Sequence, residues 1–229
     1  MDDKMKVYKG KKIEFNAYFK AGILSIFIFL SGLAFGIFID NYRISEIRKE
    51  ISQVEISSLD ALLLSSYFQK FSKNVCEDAL EMNLKFNEEI YSEGKRIEES
   101  VKTNLFTPEL DNEWRRYILL QVQFWLNSIE LKKNCNFNYS NVVHFFKFKI
   151  SDPQEIAINK LQSEILLSLK EKCGRKIMLI PITVDNNLTI VDSLIRNYNI
   201  KEFPSILINE EKLFSGLTSF EKLNEITKC

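Results

Sequence analysis

The chain carries four cysteines, and these are the side chains in it best suited to covalent chemistry. They are spread along the sequence as Cys76, Cys135, Cys173 and Cys229, and there is no Cys-x-x-Cys pair. A dithiol redox motif or a zinc knuckle needs two cysteines only a few residues apart, so neither motif is present. Separated cysteines outside the cytoplasm favour structural disulfides, and four cysteines allow three connectivities.

The remaining chemical groups exclude several classes of function. His144 is the single histidine, so a paired-histidine metal site is absent. A set of Ser151, His144 and Asp152 lacks the glycines of a nucleophile elbow, and His144 is expected to be a core or edge residue of a strand rather than a catalytic one. The 31 basic and 31 acidic residues balance, which argues against nucleic-acid binding. No metal or cofactor is expected.

A transmembrane helix is predicted near the N-terminus. The 19 residues from Ala21 to Ile39 carry no charge, and 14 of them are hydrophobic. At about 1.5 Å per residue, roughly 20 residues cross the hydrocarbon core of a bilayer. A cleaved signal peptide usually has a shorter apolar region that ends in small residues, whereas this run continues to Asp40. Residues 21–39 are therefore expected to anchor the chain in a lipid bilayer.

The distribution of basic residues predicts the orientation of this single-pass segment. Residues 1–20 hold six lysines, whereas residues 40–60 hold three basic residues among five acids. Because basic flanks remain cytoplasmic, residues 1–20 should form a cytoplasmic tail and residue 40 onward should lie outside the cytoplasm. Gly32 and Gly36 have the spacing that lets membrane helices approach closely, so one interpretation is a homodimer through them and the stalk. The other is that glycines are simply common in membrane helices.

Residues 40–135 are predicted to form a helical stalk followed by an antiparallel helical hairpin. A heptad seam of apolar, small and polar residues extends from Ile44 to Phe68. A second stripe continues to about Val101, and Thr107-Pro108 then begins another helix. The apolar stripe of this last helix is expected to be core rather than a partner groove; it consists of Trp114, Ile118, Val122, Trp125 and Ile129.

The hairpin favours one disulfide. If the chain turns at about residues 102–107, Cys76 and Cys135 lie at similar heights at the base of the two helices. A Cys76–Cys135 bridge is then favoured, and two free buried thiols are the alternative.

From Asn141 the pattern becomes an alternation of strands and helices. Asp152, Pro153 and Glu155 have the types that begin a helix, and Gly174 ends it. Asn186 or Asn187 is expected to cap the next helix. The predicted order is strand Val142–Ile150, a helix from Asp152, strand Ile177–Val184, a helix through Ile190 to Tyr198, strands Ser205–Ile208 and Lys212–Ser215, and helix Phe220–Lys228.

This order and one short stretch resemble the thioredoxin fold family. The stretch is Tyr198-Asn199-Ile200-Lys201-Glu202-Phe203-Pro204-Ser205, followed by an apolar strand; thioredoxins carry Tyr-x-Ile-x-x-x-Pro-Thr at this place. The resemblance covers residues 141–229 and implies an α/β protein with a C-terminal thioredoxin-like αβα domain. It also implies that Pro204 is cis and faces the active site. The stalk is similar to that of membrane-anchored thioredoxin-domain proteins of small-genome archaea.

The sequence departs from the family at the catalytic motif. Redox-active members place Cys-x-x-Cys between the first strand and its helix, where this chain has Ser151-Asp152-Pro153-Gln154. A hydroxyl and an amide cannot replace the attacking and resolving thiols. In this fold the helices that end at Cys173 and Cys229 pack on one sheet face, so the resemblance also implies a Cys173–Cys229 bridge, with free thiols as the alternative.

Three functions follow as hypotheses. The first is a non-catalytic binding or assembly module for an unidentified protein or peptide. The second is a thiol-disulfide oxidoreductase that uses Cys173 and Cys229, or a partner's thiols. The third is a structural envelope protein. No catalytic residue is expected: Ser151 and Gln154 occupy the degenerate positions of the redox motif, and in the first hypothesis the groove beside Pro204 receives an extended peptide.

Overall fold

A computed structural model describes residues 15–71, 76–103 and 108–229. Three long helices come first: α1 spans Phe15–Phe71, α2 spans Cys76–Thr103, and α3 spans Pro108–Cys135. The chain divides into two compact units at Glu46 and Ile47. The turn was expected at about residues 102–107. Lys102 and Thr103 still belong to α2, and residues 104–107, with the expected cap at Thr107, lie outside the described residues.

The N-terminal unit contains the predicted membrane segment. Among the described residues there is one helix long and apolar enough to cross a membrane, at Tyr18–Asp60, and its most apolar window has a mean hydropathy of 2.5. The apolar side chains of residues 21–39 are exposed, as a lipid-facing helix requires. This agrees with the anchor expected at residues 21–39. A homodimer through Gly32 and Gly36 stays a prediction.

The stalk part of α1 packs within its own chain. Ile51, Val54 and Ser58, which belong to the predicted heptad seam, are buried in the core of the second unit. Arg116 of α3 donates to both carboxylate oxygens of Glu55 at 2.9 and 2.7 Å. This part of the seam is therefore occupied inside the chain, although the sequence pattern suggested a surface for a second copy.

The hairpin formed by α2 and α3 has an apolar interior. Phe86 and Ile90 of α2 are buried with Ile118 and Trp125 of α3. The aromatic stripe of α3 was expected to be core, and its burial confirms this. Trp114 reaches beyond the hairpin, because its indole N–H donates to the hydroxyl of Thr183 at 3.2 Å.

A four-stranded mixed sheet follows, with β1 at Ser140–Phe146, β2 at Ile177–Thr183, β3 at Ser205–Ile208 and β4 at Lys212–Ser215. The strand order is β2-β1-β3-β4. β1 pairs with β2 in parallel, and the β1–β3 and β3–β4 pairs are antiparallel. β2 is therefore an edge strand, which accommodates Pro181 because proline cannot donate a ladder hydrogen bond.

Helices cover both faces of the sheet. The remaining helices are α4 at Pro153–Cys173, α5 at Thr189–Asn197 and α6 at Phe220–Thr227. Leu166 of α4 and Leu223 of α6 pack with Val142 on one face. Val143 and Phe145 point to the other face, where α3 and α5 cover the sheet. The strand and helix order is the one that the thioredoxin resemblance implies, with α3 completing the second layer.

Several expected boundaries were wrong. β1 ends at Phe146 rather than Ile150, because the backbone N–H groups of Phe148 and Lys149 donate to the carboxylate of Asp185. β2 ends one residue early, at Thr183, and α6 ends at Thr227. Leu188 occupies the N-cap of α5 in place of the expected asparagine.

Candidate functional site

The N-terminus of α4 follows β1, where the resemblance implied that a redox motif would stand. Asp152 caps the helix by accepting a hydrogen bond from the backbone N–H of Gln154 at 3.0 Å, and Pro153 is the first helical residue. Ser151 and Gln154 are both exposed. The predicted helix start is confirmed, but Glu155 forms an ion pair with Lys147 at 3.8 Å rather than closing a capping box.

The sheet register brings Pro204 to the same end of the domain. Phe145 at the end of β1 pairs with Ser205 of β3, and Ser205 pairs with Ser215 of β4. Pro204 therefore lies beside the loop that leads from β1 into α4. The Phe203–Pro204 peptide bond is cis, as the resemblance implied. We call the loop from β1 to α4, Pro204 and the loop after β4 the corner.

Hydrogen bonds of Gly216 and Thr218 hold the loop after β4 against Pro204 and α4. The N–H of Gly216 donates to the carbonyl of Pro204 at 2.8 Å, and Gly216 has φ of 73°, a conformation in which a side chain is unfavourable. The fully buried amide of Gln162 accepts from the N–H of Thr218 at 2.7 Å and donates to its carbonyl at 3.3 Å. Leu217 between them is 49% exposed.

Two residues that shape this corner were assigned no such role from the sequence. Gln162 lies on the buried face of α4 with Leu166, Leu169 and Cys173. Ile158 and Leu161 of the same helix are apolar, yet both are more than a third exposed. The sequence did contain a signal for this role, because the amide of Gln162 stands among apolar residues of the same helix. A buried amide needs specific hydrogen-bond partners.

The second is Asp185, which follows β2. Its carboxylate oxygens accept the backbone N–H of Phe148 at 3.0 and 2.9 Å and that of Lys149 at 2.5 Å. These bonds turn the chain out of the sheet after β1 and set the path into α4.

All four cysteines form disulfides away from the corner. Cys76 is bonded to Cys135, the pair that the hairpin favoured, and Cys173 to Cys229, the pair that the resemblance implied. Cys173 ends the 21-residue helix α4, so at about 1.5 Å per residue it lies roughly 30 Å from Pro153. Cys173 is also buried. The corner therefore has no thiol within reach.

His144 is a core residue at the middle of β1. It is 2% exposed and stacks on Phe146 with ring centroids 4.7 Å apart. Burial lowers the pKa of its imidazole to about 3, so the ring is neutral near neutral pH. The expectation of a core histidine agrees with this placement.

The corner offers surface and backbone groups rather than a reactive centre. Among the hydrogen bonds between described residues, none uses the backbone N–H or C=O of Phe203, which precedes the cis proline. In the described part of the chain there is no cluster of side chains suited to holding a metal ion. Two exposed apolar side chains belong to the neighbouring segments: Leu217 in the loop after β4 and Ile156 in the first turn of α4.

No protein-family model matches the chain, and no curated protein matches it. Three solved structures are similar in part. A malarial protein is 22% identical, with a TM-score of 0.31, over 40% of this chain and 96% of that chain. Chloroplastic thioredoxin z is 18% identical, with a TM-score of 0.32, over 41% and 79%. Thioredoxin-2, a component of the malaria parasite protein secretion machinery, is 22% identical, with a TM-score of 0.31, over 40% and 82%.

Proposed function

We propose that this chain is a membrane-anchored, thioredoxin-like binding module whose corner binds an extended polypeptide without thiol chemistry. The observation that carries the proposal is the composition of the corner. Ser151 and Gln154 stand where the two thiols of a redox site would be, and all four cysteines are committed to disulfides elsewhere. The partner is an unidentified protein or peptide.

The groups around Pro204 support peptide binding by strand addition. A peptide laid beside Phe203 could pair with its backbone N–H and C=O, which take part in none of the hydrogen bonds between described residues. Main-chain hydrogen bonds supply the affinity in this mode of recognition. Leu217 and Ile156 are 49% and 48% exposed. They offer apolar contacts for alternate side chains of the peptide. The ordered loop after β4 reduces the entropic cost of binding.

Anchoring and orientation form the second part of the proposal. Residues 21–39 cross the bilayer, the lysine-rich residues 1–20 remain cytoplasmic, and the thioredoxin-like region lies outside the cytoplasm, where disulfides persist. A protease added to intact cells should then remove the bulk of the chain. Protection of residues 40–229 would contradict this orientation.

An insulin-reduction assay on the full chain in neutral detergent tests the absence of redox chemistry. We expect no activity above background, because neither Ser151 nor Gln154 can attack a disulfide. A Ser151→Cys/Gln154→Cys variant serves as a matched gain-of-function comparison, since a thiol at a helix N-terminus favours its thiolate. Activity in the unmodified protein that Cys173→Ser abolishes would identify the distal pair as the active site and overturn the proposal.

Site-specific photo-crosslinking in native membranes tests the binding surface. A photoreactive amino acid replaces Leu217 in the corner, and the matched control replaces Leu126 of α3, which is 42% exposed. We expect a polypeptide adduct from position 217 and none from position 126. Equal adducts from both positions, or none from either, would favour a purely structural envelope protein.

A further inference from the structure

A cleft opens at the end of the sheet opposite the corner. Its volume is about 400 Å³, within the usual range for small-molecule sites. Tyr139, Ile208 and Ile226 provide its apolar surface, and Ser140, Asn209 and Thr227 add hydroxyl and amide groups. The cleft lies at the start of β1 and the end of β3, so it is separate from Pro204 and the α4 N-terminus.

Positive charge is concentrated in this cleft. Four lysines line it together with one acidic residue, Glu211; the lysines are Lys132, Lys176, Lys212 and Lys228. The whole chain has a net charge of zero, so the lysines give this cleft a local excess of positive side chains. Ion pairs between described residues engage Lys147, Lys149 and Lys160 elsewhere. None of the described ion pairs involves Lys176, Lys212 or Lys228.

One of these ammonium groups has a defined position. Lys132 donates from Nζ to the amide oxygen of Asn209 at 2.8 Å. The same oxygen accepts the backbone N–H of Asn141 at 3.0 Å, and the Asn209 amide nitrogen donates to the Ser140 hydroxyl at 3.3 Å. The wall that carries the Lys132 charge is therefore pre-organised, which lowers the entropic cost of binding.

Neutralisation of helix ends does not account for all four lysines. Lys132 lies in the last turn of α3 and Lys228 follows α6, where a cation stabilises the negative end of the helix dipole. Lys212 begins strand β4, so it has no such role. The carboxylate of Glu210 also lies beside the cleft, since it accepts from the Asn141 amide at 3.0 Å. With Glu210, Glu211 and about half a negative charge for each of the nearby ends of α3, α4 and α6, the lysines still leave a positive balance of about half a charge.

We infer that this cleft binds a small phosphate-bearing anion. Several lysines and no arginine line it, and lysine binds phosphate as a point charge from variable directions. A doubly charged phosphate group would draw the exposed ammonium groups of Lys176, Lys212 and Lys228 together, and Tyr139 and Ile226 would contact an apolar substituent. This inference does not rest on the proposed function at the corner.

Pyrophosphate titration of the full chain in neutral detergent at low salt tests the inference. Binding to the folded state should raise the melting temperature as ligand concentration increases. The triple variant Lys176→Gln/Lys212→Gln/Lys228→Gln should weaken binding about tenfold or more, since charge-assisted contacts are lost. Lys201→Gln, an exposed lysine outside the cleft, should bind like the parent.

Two further arms complete the experiment. Nanodiscs of phosphatidylcholine alone and with phosphatidylglycerol distinguish the source of the phosphate. Weaker pyrophosphate binding in the anionic discs would identify a lipid headgroup as the competing occupant, whereas unchanged binding would indicate a soluble ligand. No change in melting temperature at millimolar pyrophosphate, or equal binding by the parent and the triple variant, would overturn the inference.

Discussion

His144 should make the fold less stable in acid, and the structure gives the size of the effect. The imidazole is 2% exposed, and its Nε2 has no hydrogen-bond partner among the described residues. Its strand neighbours in the ladder are Pro181 and Ile206. Burial among such residues penalises the charged form, and it lowers the pKa from 6.5 to about 3.

The direction of the pH effect follows from proton binding. Between about pH 6.5 and pH 3 the unfolded chain binds a proton at this site and the folded chain does not, so the free energy of unfolding falls as the pH falls. At about pH 5 the loss from this histidine is roughly 2 kcal/mol, taking about 1.4 kcal/mol per pH unit below 6.5.

Urea unfolding of the parent and His144→Leu, at about pH 7.5 and about pH 5, measures this contribution. Trp114 and Trp125 are both buried, so their fluorescence reports loss of the core. Carboxylates titrate in both proteins, so their effect on the free energy of unfolding cancels in the difference between the two. What remains is the contribution of His144 to the pH dependence of stability. We expect the stability of His144→Leu relative to the parent to rise by about 2 kcal/mol between the two pH values. An identical pH dependence in both proteins would refute the reasoning.

Three other substitutions test the packing by urea unfolding. Gly94→Ala should destabilise the fold, because the added Cβ would overlap the Tyr117 hydroxyl and lie 2.7 Å from the Tyr117 Cζ. This overlap should outweigh a gain in helix propensity of up to about 1 kcal/mol. Adding Tyr117→Phe should recover part of the loss, and full stability of Gly94→Ala alone would contradict this contact. Cys76→Ala and Cys135→Ala should each lower the free energy of unfolding by about 4 kcal/mol, because their bridge closes a loop with a sequence separation of 59. The double variant should lose no more than either single variant, since both remove the same bridge. Additive losses would indicate two independent thiols. Gln162→Leu should lower the free energy of unfolding by about 2 kcal/mol, because it leaves the backbone N–H and C=O of Thr218 without their hydrogen-bond partners. An unchanged urea midpoint would show that these two bonds contribute little.

Local signals in the sequence predicted much of the fold. Asp152-Pro153 begins α4 because a capping carboxylate and a fixed proline φ act within one turn. Ser205–Ile208 and Lys212–Ser215 have the predicted bounds, since their hairpin depends on neighbouring residues. The Cys76–Cys135 pairing followed from helix lengths alone.

Contacts between distant segments could not be predicted in the same way. Lys147-Phe148-Lys149 alternates like a strand, but Asp185, 36 or more residues further on, takes its backbone N–H groups. The stalk seam at Ile51 and Val54 has the pattern of a coiled coil, yet its partner is inside the same chain. A heptad pattern specifies an apolar face but does not specify which helix covers it.

The buried amide of Gln162 is the part of the corner that supports the proposed binding role. A buried amide such as Gln162 costs stability unless it is fully hydrogen-bonded, and an apolar residue of similar size would fill the space without that requirement. Here the amide fixes the backbone of Thr218 and so positions the exposed Leu217 beside Pro204. A stalk or spacer has no need for a fixed, exposed leucine at this place, whereas a peptide-binding surface does. If the Gln162→Leu variant folds stably but loses the crosslink from position 217, the amide of Gln162 is needed to position Leu217 for binding. If the crosslink persists unchanged, the loop after β4 keeps its position without this amide.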